Sequence, residues 1–163
     1  MKVDPGFAEL YDREFPAVFR SVLLACGDRQ TAEDATQEAF ARALVRWHRL
    51  EGHAWVGGWV TTTALNVARR QLRRRPDPPA QRGPDEGPEA EARMDVRAAI
   101  RALPARQQEA VVLHYLMDLS VTDTAAAMAC DEGTVKTHLS RARTALGRTL
   151  GEPDDEPTRS PYA

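Results

Sequence analysis

The sequence holds two cysteines, two lysines and no long apolar run. Cys26 and Cys130 lie far apart without CxxC spacing, so neither a disulfide framework nor a zinc site is indicated. No segment approaches the roughly 20 apolar residues that a membrane-spanning helix needs. Met1 to Leu10 lacks the basic region and apolar stretch of a secretory signal. A cytoplasmic protein is expected. Period-2 runs flanked by turn residues are also missing, which argues against strands. Chemistry is equally sparse. His48, His53, His114 and His138 are scattered, no Gly-rich loop follows a strand, and no Ser or Cys neighbours a plausible base. A small metalloenzyme built on Cys26, His48 and His53 would lack a fourth ligand at recognisable spacing. No catalytic residue, metal or cofactor is expected.

What remains is 163 residues, 42% apolar and 28% charged, enough for one ordinary domain or two small ones. The scarcity of lysine leaves 20 arginines, which with abundant alanine reflects a GC-rich coding bias more than a function. The formal net charge of −2 conceals segregation. Residues 1–75 carry 12 basic and 9 acidic side chains, and residues 96–150 carry 7 and 5. Between them, 76–95 carries 2 basic and 6 acidic; the tail from Gly151 carries 1 and 4. Two mildly basic blocks are thus joined and followed by acidic segments. Pro76 to Ala92 has five prolines, two glycines and no large apolar side chain in 17 positions, the composition of a flexible linker. The tail 151–163 has the same character and is expected to be disordered. The expected organisation is a first domain at 1–75, a linker at 76–92, a second domain at 93–150 and the acidic tail.

Both blocks have helical periodicity, so the fold class is all-α. In the first, Phe7, Tyr11, Phe15, Val18 and Val22 form a stripe, with Pro16 predicted to kink or restart the helix. Gly27-Asp28 ends it, and Thr31 with Asp34 is the expected cap pair of the next helix. That helix turns Phe40, Ala43, Leu44 and Trp47 inward. After a turn at Glu51 to Ala54, a third helix turns Val56, Trp59, Val60, Thr63 and Val67 inward and ends in Arg69, Arg70, Arg73, Arg74 and Arg75. In the second block, Val96, Ala99, Ile100 and Leu103 form a short helix, and Pro104 suits the start of another carrying Val112, Leu113 and Leu116. Ser120 and Asp123 cap the helix Val121 to Ala129. A break at Cys130 to Glu132 precedes a last helix with Val135, Leu139, Ala142, Leu146 and Leu150 inward. The final pair reads as a helix-turn-helix.

Three polar faces follow. The last helix leaves Lys136, Thr137, Ser140 and Arg141 opposite its apolar stripe, flanked by Thr134 and His138. Arginine can grip guanine with two hydrogen bonds, and hydroxyls reach phosphates or base edges. A solvated helix face would look the same, but the capped helix and tight turn before it favour DNA. From Arg46 to Arg75 there are 7 basic residues and 1 acidic, interleaved with Trp47, Trp55 and Trp59. Stacking rings beside cations suit single-stranded nucleic acid. Trp59 falls on the apolar stripe and reads as core; Trp55, beside the turn, is the candidate for exposure. Asn66 either settles a packing defect or reads a base. On the second helix, Asp34, Gln37 and Glu38 make an acidic and amide stripe, by default solvated, otherwise a face for a basic protein.

These segments resemble a known family. Ala32-Glu-Asp-Ala-Thr-Gln-Glu-Ala-Phe40 resembles the second conserved region of the sigma-70 family. Trp59 to Asn66 with the following arginines is similar to its promoter-melting and minus-ten region. Ala102-Leu-Pro-Ala-Arg-Gln-Gln-Glu-Ala110 and Gly133-Thr-Val-Lys-Thr-His-Leu-Ser-Arg-Ala-Arg143 look like its fourth region. The order of motifs, with a short linker, resembles an extracytoplasmic-function (ECF) sigma factor. The resemblance implies that Asp34, Gln37, Glu38 and Phe40 belong to the helix that docks on core RNA polymerase. It implies that Trp55, Asn66, Arg69, Arg70, Arg73 and Arg74 capture the opened minus-ten strand. It places Thr134, Lys136, Thr137, His138, Ser140 and Arg141 at the duplex minus-thirty-five element. Implied partners are core RNA polymerase, promoter DNA and, where one exists, an anti-sigma protein, with no membrane or small-molecule substrate. Arg70 stands where the family usually has aspartate, Thr124 where it prefers isoleucine, and Gln108 where arginine is common. The rival is a helix-turn-helix regulator that acts without being a polymerase subunit.

Overall fold

In the computed structural model, which describes residues 2–75 and 88–151, all regular structure of the described residues is helical. The first helix, α1 (Pro5–Cys26), opens on Asp4, whose carboxylate accepts the backbone N–H groups of Gly6 and Phe7 at 2.8 and 3.4 Å. It runs through Pro16 as one helix, which excludes the restart among the two expected outcomes, kink or restart. An interior proline costs about 3 kcal/mol, and the fully buried Val18 and Val22 just beyond it offset that loss. Gly27, at φ 75°, ends the helix in the left-handed conformation that favours glycine and donates its N–H to Leu23 O.

Asp28 then caps α2 (Arg29–Val45), so the start of this helix is set earlier than the expected Thr31–Asp34 pair. Its carboxylate accepts the N–H and hydroxyl of Thr31 at 2.9 and 2.5 Å and the Arg75 guanidinium at 2.8 Å. The Thr31 hydroxyl, then its N–H, then Arg75 hold the Asp28 carboxyl below its ordinary value. The stabilisation is present at neutral pH and is lost as pH falls through the depressed value. A short α3 (Trp47–Leu50) and a turn lead to α4 (Val56–Arg73), which packs on both α1 and α2. The inner face of α2 is mostly small, with Ala32, Ala35, Ala39 and Ala43 fully buried around Phe40, so its backbone approaches α4 closely. Buried Thr61 satisfies its hydroxyl on Gly57 O, which makes a threonine-rich helix tolerable.

The expected linker falls outside the described residues up to position 87, but Pro88 already begins a helix, α5 (Pro88–Arg101). The tail beyond Gly151 also lies outside them. Helix α6 (Ala105–Val111) runs into a widened π-turn at Val112–Leu116, followed by α7 (Val121–Met128) and α8 (Glu132–Leu150). Ser120 caps α7 as expected, its hydroxyl accepting the Asp123 N–H at 3.0 Å. Ala129, at φ 53°, turns the chain into α8. Leu150, expected inward, is 37% exposed, and Val96 and Leu116, apolar residues of the two earlier segments, are each 41% exposed. No described element covers them fully.

Thr124 on α7 is fully buried and its hydroxyl has no hydrogen-bond partner. A buried unpaired hydroxyl costs about 1–3 kcal/mol. Thr124→Val keeps the shape and removes that group, so stability should rise by about 1 kcal/mol. A thermal melt followed by circular dichroism checks this; an unchanged or lower Tm would show the hydroxyl is satisfied.

The two helical groups pack against each other, chiefly α4 on α7 and α1 on α5. Gly58 is decisive there. A Cβ at Gly58 would lie 2.6 Å from Leu119 Cδ1 and 2.9 Å from Ala127 Cβ, so the close approach requires glycine.

Candidate functional site

On α2, Asp34, Gln37 and Glu38 are exposed along one face. Asp34 accepts the Gln30 amide at 3.0 Å, Glu38 pairs with Arg42, and Gln37 accepts the Tyr11 hydroxyl at 3.4 Å. Phe40 is not on that face. It is 2% exposed, with ring centroids 4.9 Å from Tyr11 and 5.7 Å from Phe15. Its part is to seat α2, which sets the direction in which the polar stripe points.

Along α4, Asn66, Arg70, Arg73 and, just past its end, Arg74 are exposed. Arg69 differs. It donates to Glu109 Oε1 at 2.9 Å, Gln108 Oε1 at 2.9 Å, Ala105 O at 3.0 Å and Asn66 Oδ1 at 3.0 Å. Trp55 is half-buried rather than exposed, stacked on His53 at 4.6 Å and packed against the apolar cores of both helical groups. Trp59 is half-buried, with the Arg46 guanidinium 5.8 Å from the centre of its ring. A cleft of about 680 Å³ opens beside them, with Trp59, Asn66 and Arg70 on one wall and Arg106 and Met128 on the other. Four arginines line it against Glu38 as its acid, an environment suited to an anion.

On α8, Asp131 accepts the Thr134 N–H at 2.7 Å, and this bond holds the Asp131 carboxyl below its ordinary value. Val135, Leu139 and Ala142 are buried, leaving Lys136, Thr137, Ser140 and Arg141 exposed on the opposite side. Thr134 and His138 are half-buried at the margin. Thr137 donates its hydroxyl to Gly133 O at 3.0 Å, so that group is already engaged. Arg143 reaches the Tyr115 hydroxyl at 3.1 Å.

The family model for Sigma-70 region 2 matches residues 10–76, and that for Sigma-70 region 4 matches residues 93–146. The ECF RNA polymerase sigma factor SigM of Mycobacterium tuberculosis is 32% identical over 156 residues, covering 90% of this chain and 78% of that protein. The chain belongs to the ECF sigma factors. The ECF sigma factor BldN of Streptomyces coelicolor is 34% identical over 165 residues; the match covers 92% of this chain but 61% of BldN. Among solved structures, the sigma factor RpoE in complex with the anti-sigma factor NepR from Bartonella quintana superposes with a TM-score of 0.67. It is 25% identical, and the match covers 90% of this chain and 97% of RpoE.

In this sigma factor the residues read from the sequence do not form one site. The α2 stripe and the α4 residues Asn66 and Arg70 border a common cleft through Glu38, whereas the α8 face is a separate surface built on the second helical group. The sequence marks Gln108 only as a departure from the family pattern and gives Glu109 no role, yet they are 5% and 1% exposed at the junction of the two groups. A signal was present for Glu109: it shares a helical face with Val112 and Leu113, both fully buried. A carboxylate at a core position needs a cationic partner. One partner, Arg106, lies three residues earlier on the same helix, where spacing could name it; the other, Arg69, lies 40 residues away in sequence, and spacing could not.

Proposed function

We propose that this chain binds core RNA polymerase and directs it to promoters, reading a duplex element with α8 and holding an unpaired strand with α4. The observation that carries the reading is three unlike polar faces on one small helical scaffold: acidic on α2, arginine-rich on α4, and mixed basic and hydroxyl on α8. A helix-turn-helix regulator would need the third and would have no use for the first two. On α8, Arg141 and Lys136 suit base edges and phosphates of a major groove, with Thr134, Thr137, His138 and Ser140 around them. On α4, Asn66 and Arg70 beside Trp59 suit a strand whose bases are unstacked; Arg73 and Arg74 extend the charge for its phosphates. Unstacking a base costs a few kcal/mol, which stacking and phosphate contacts at ~1–3 kcal/mol per base offset. The chain makes and breaks no covalent bond in this role and acts in the cytoplasm, where polymerase and DNA are. Among the described residues, no helix is long and apolar enough to cross a membrane.

The direct test is transcription by core polymerase supplemented with this chain on genomic fragments, where discrete initiation sites are expected. Failure to bind core polymerase would overturn the reading. Within it, the α2 stripe is the polymerase-facing surface. Glu38→Arg replaces an exposed acid and should weaken core binding by about tenfold, or ~1.4 kcal/mol, without lowering the Tm. Unchanged affinity in a fluorescence titration would remove α2 from that interface.

A further inference from the structure

We propose that Tyr115, turned outward by the π-turn after α6, is a positioning residue for duplex binding: its hydroxyl holds Arg143 at the edge of the α8 face, where the guanidinium meets a backbone phosphate. The inference rests on the reading that α8 lies against duplex DNA, and does not depend on polymerase binding.

The π-turn is what brings Tyr115 to the surface. Val111 and Val112 are buried. In a regular helix the residues four positions on, Tyr115 and Leu116, would follow them onto the buried face. Instead the Met117 N–H returns five residues to Val112 O at 3.1 Å, and the widened turn leaves Tyr115 47% exposed. Such turns are rare and collect at functional sites. Carrying an aromatic ring out of a core gives up apolar burial, a loss that packing alone does not explain.

The same segment holds the ring still. His114 donates from Nδ1 to Leu119 O at 2.8 Å, and the Leu119 N–H bonds Leu113 O at 3.1 Å, closing the loop on itself. The Tyr115 ring stands edge-on to the His114 imidazole, with centroids 4.9 Å apart and planes at 71°. The hydroxyl is therefore placed by the π-turn, and Arg143 comes to it, donating at 3.1 Å.

Arg143 is exposed on α8, seven residues beyond Lys136 and three beyond Ser140, so the three share one edge of the helix. It stands about 10 Å from Lys136 along the axis, past the first turns that reach base edges and toward the sugar-phosphate backbone. The nature of its acceptor matters. Among the described residues no carboxylate pairs with Arg143. A neutral hydroxyl takes one guanidinium donor and none of the charge, which leaves the other donors and the full positive charge to a phosphate. Holding a long side chain in place beforehand also lowers the ordering cost of binding.

The test measures closed-complex binding of the holoenzyme to duplex promoter fragments over a range of salt, with melting curves on the same chains. Arg143→Ala should weaken binding about tenfold, equally on every minus-thirty-five variant, and lower the slope of log K against log salt by about 1. Tyr115→Phe removes one oxygen and keeps the ring against His114. It should leave the Tm unchanged, weaken binding about threefold on every variant and lower the slope in the same direction. Added to Arg143→Ala it should bring no further loss, because it acts through that guanidinium. A lowered Tm with an unaltered slope would make the contact a structural pin on α8 and overturn the proposal. So would wild-type binding by Tyr115→Phe, a loss confined to some promoter variants, or a further loss on top of Arg143→Ala. Core-polymerase binding is measured alongside. If no holoenzyme forms, the sigma reading fails and the same series is run with the chain alone, whose α8 face then has to bind duplex by itself. Absence of salt-dependent duplex binding in that form too overturns this inference as well.

Discussion

Phe40→Ala should lower the Tm by about 15 °C or more and abolish polymerase binding as a consequence of lost structure. Phe40 is almost completely buried between Tyr11 and Phe15, at the junction of α1 and α2. Truncating such a ring removes its burial and leaves a cavity, together about 3–5 kcal/mol. Domains of this size are stable by ~5–15 kcal/mol in total. The small side chains around it, Ala35, Ala39 and Ala43, cannot fill the space. The contrast with Glu38→Arg is the informative part, because the two positions are two residues apart on one helix and face opposite ways. A melt by circular dichroism and a core-binding titration on the same samples separate fold from contact. A wild-type melt with lost polymerase affinity would make Phe40 a direct contact and contradict its burial.

That contrast also marks how far the sequence could be read. Helical periodicity identified the stripes on α2, α4 and α8, because an apolar face at 3.6-residue spacing is a local signal. The Ser120 cap was equally local, and the hydroxyl bonds the Asp123 N–H as its spacing implies. The cap of α2 was misplaced because two candidates lay within one turn. The Asp28 carboxylate, held also by Arg75 from the far end of α4, prevails over the Thr31–Asp34 pair. Pro16 predicts a kink or a restart because its local cost is visible, whereas the buried stripe across α1 that keeps the helix continuous is tertiary. The same reason explains the α4 arginines. A run of like residues gives charge, but nothing in it distinguishes Arg69, enclosed by Gln108 and Glu109, from exposed Arg70. Leu150 shows the converse: a stripe predicts an inward face without guaranteeing a neighbour to cover it. The candidate site was legible as three faces, and the junction between the helical groups was not.

Trp55 and Asn66 should part company under substitution, although both fall in the segment that suits single strands. Trp55 is packed against both apolar cores and stacked on His53, so Trp55→Ala removes contacts that hold the helical groups together. A half-buried indole gives up about 2–3 kcal/mol on truncation, less than the 3–5 of a fully buried one. The melt should drop, and closed-complex binding and strand opening should fall together. Asn66 is exposed, and its oxygen accepts from an Arg69 that keeps three other acceptors, so Asn66→Ala should leave the Tm unchanged. Initial promoter binding by the holoenzyme should stay within about twofold, because the duplex face on α8 is intact, while opening should fall by about tenfold. A template with a pre-opened bubble should restore much of that loss, since the unpairing cost is already met. Filter binding reports the closed complex, and permanganate reactivity of unpaired thymines reports opening. If Asn66→Ala loses closed-complex binding as severely as opening, or the bubble gives no rescue, Asn66 serves only to orient Arg69. The strand must then be held by Arg70, Arg73 and Arg74 through its phosphates, without a base contact from α4.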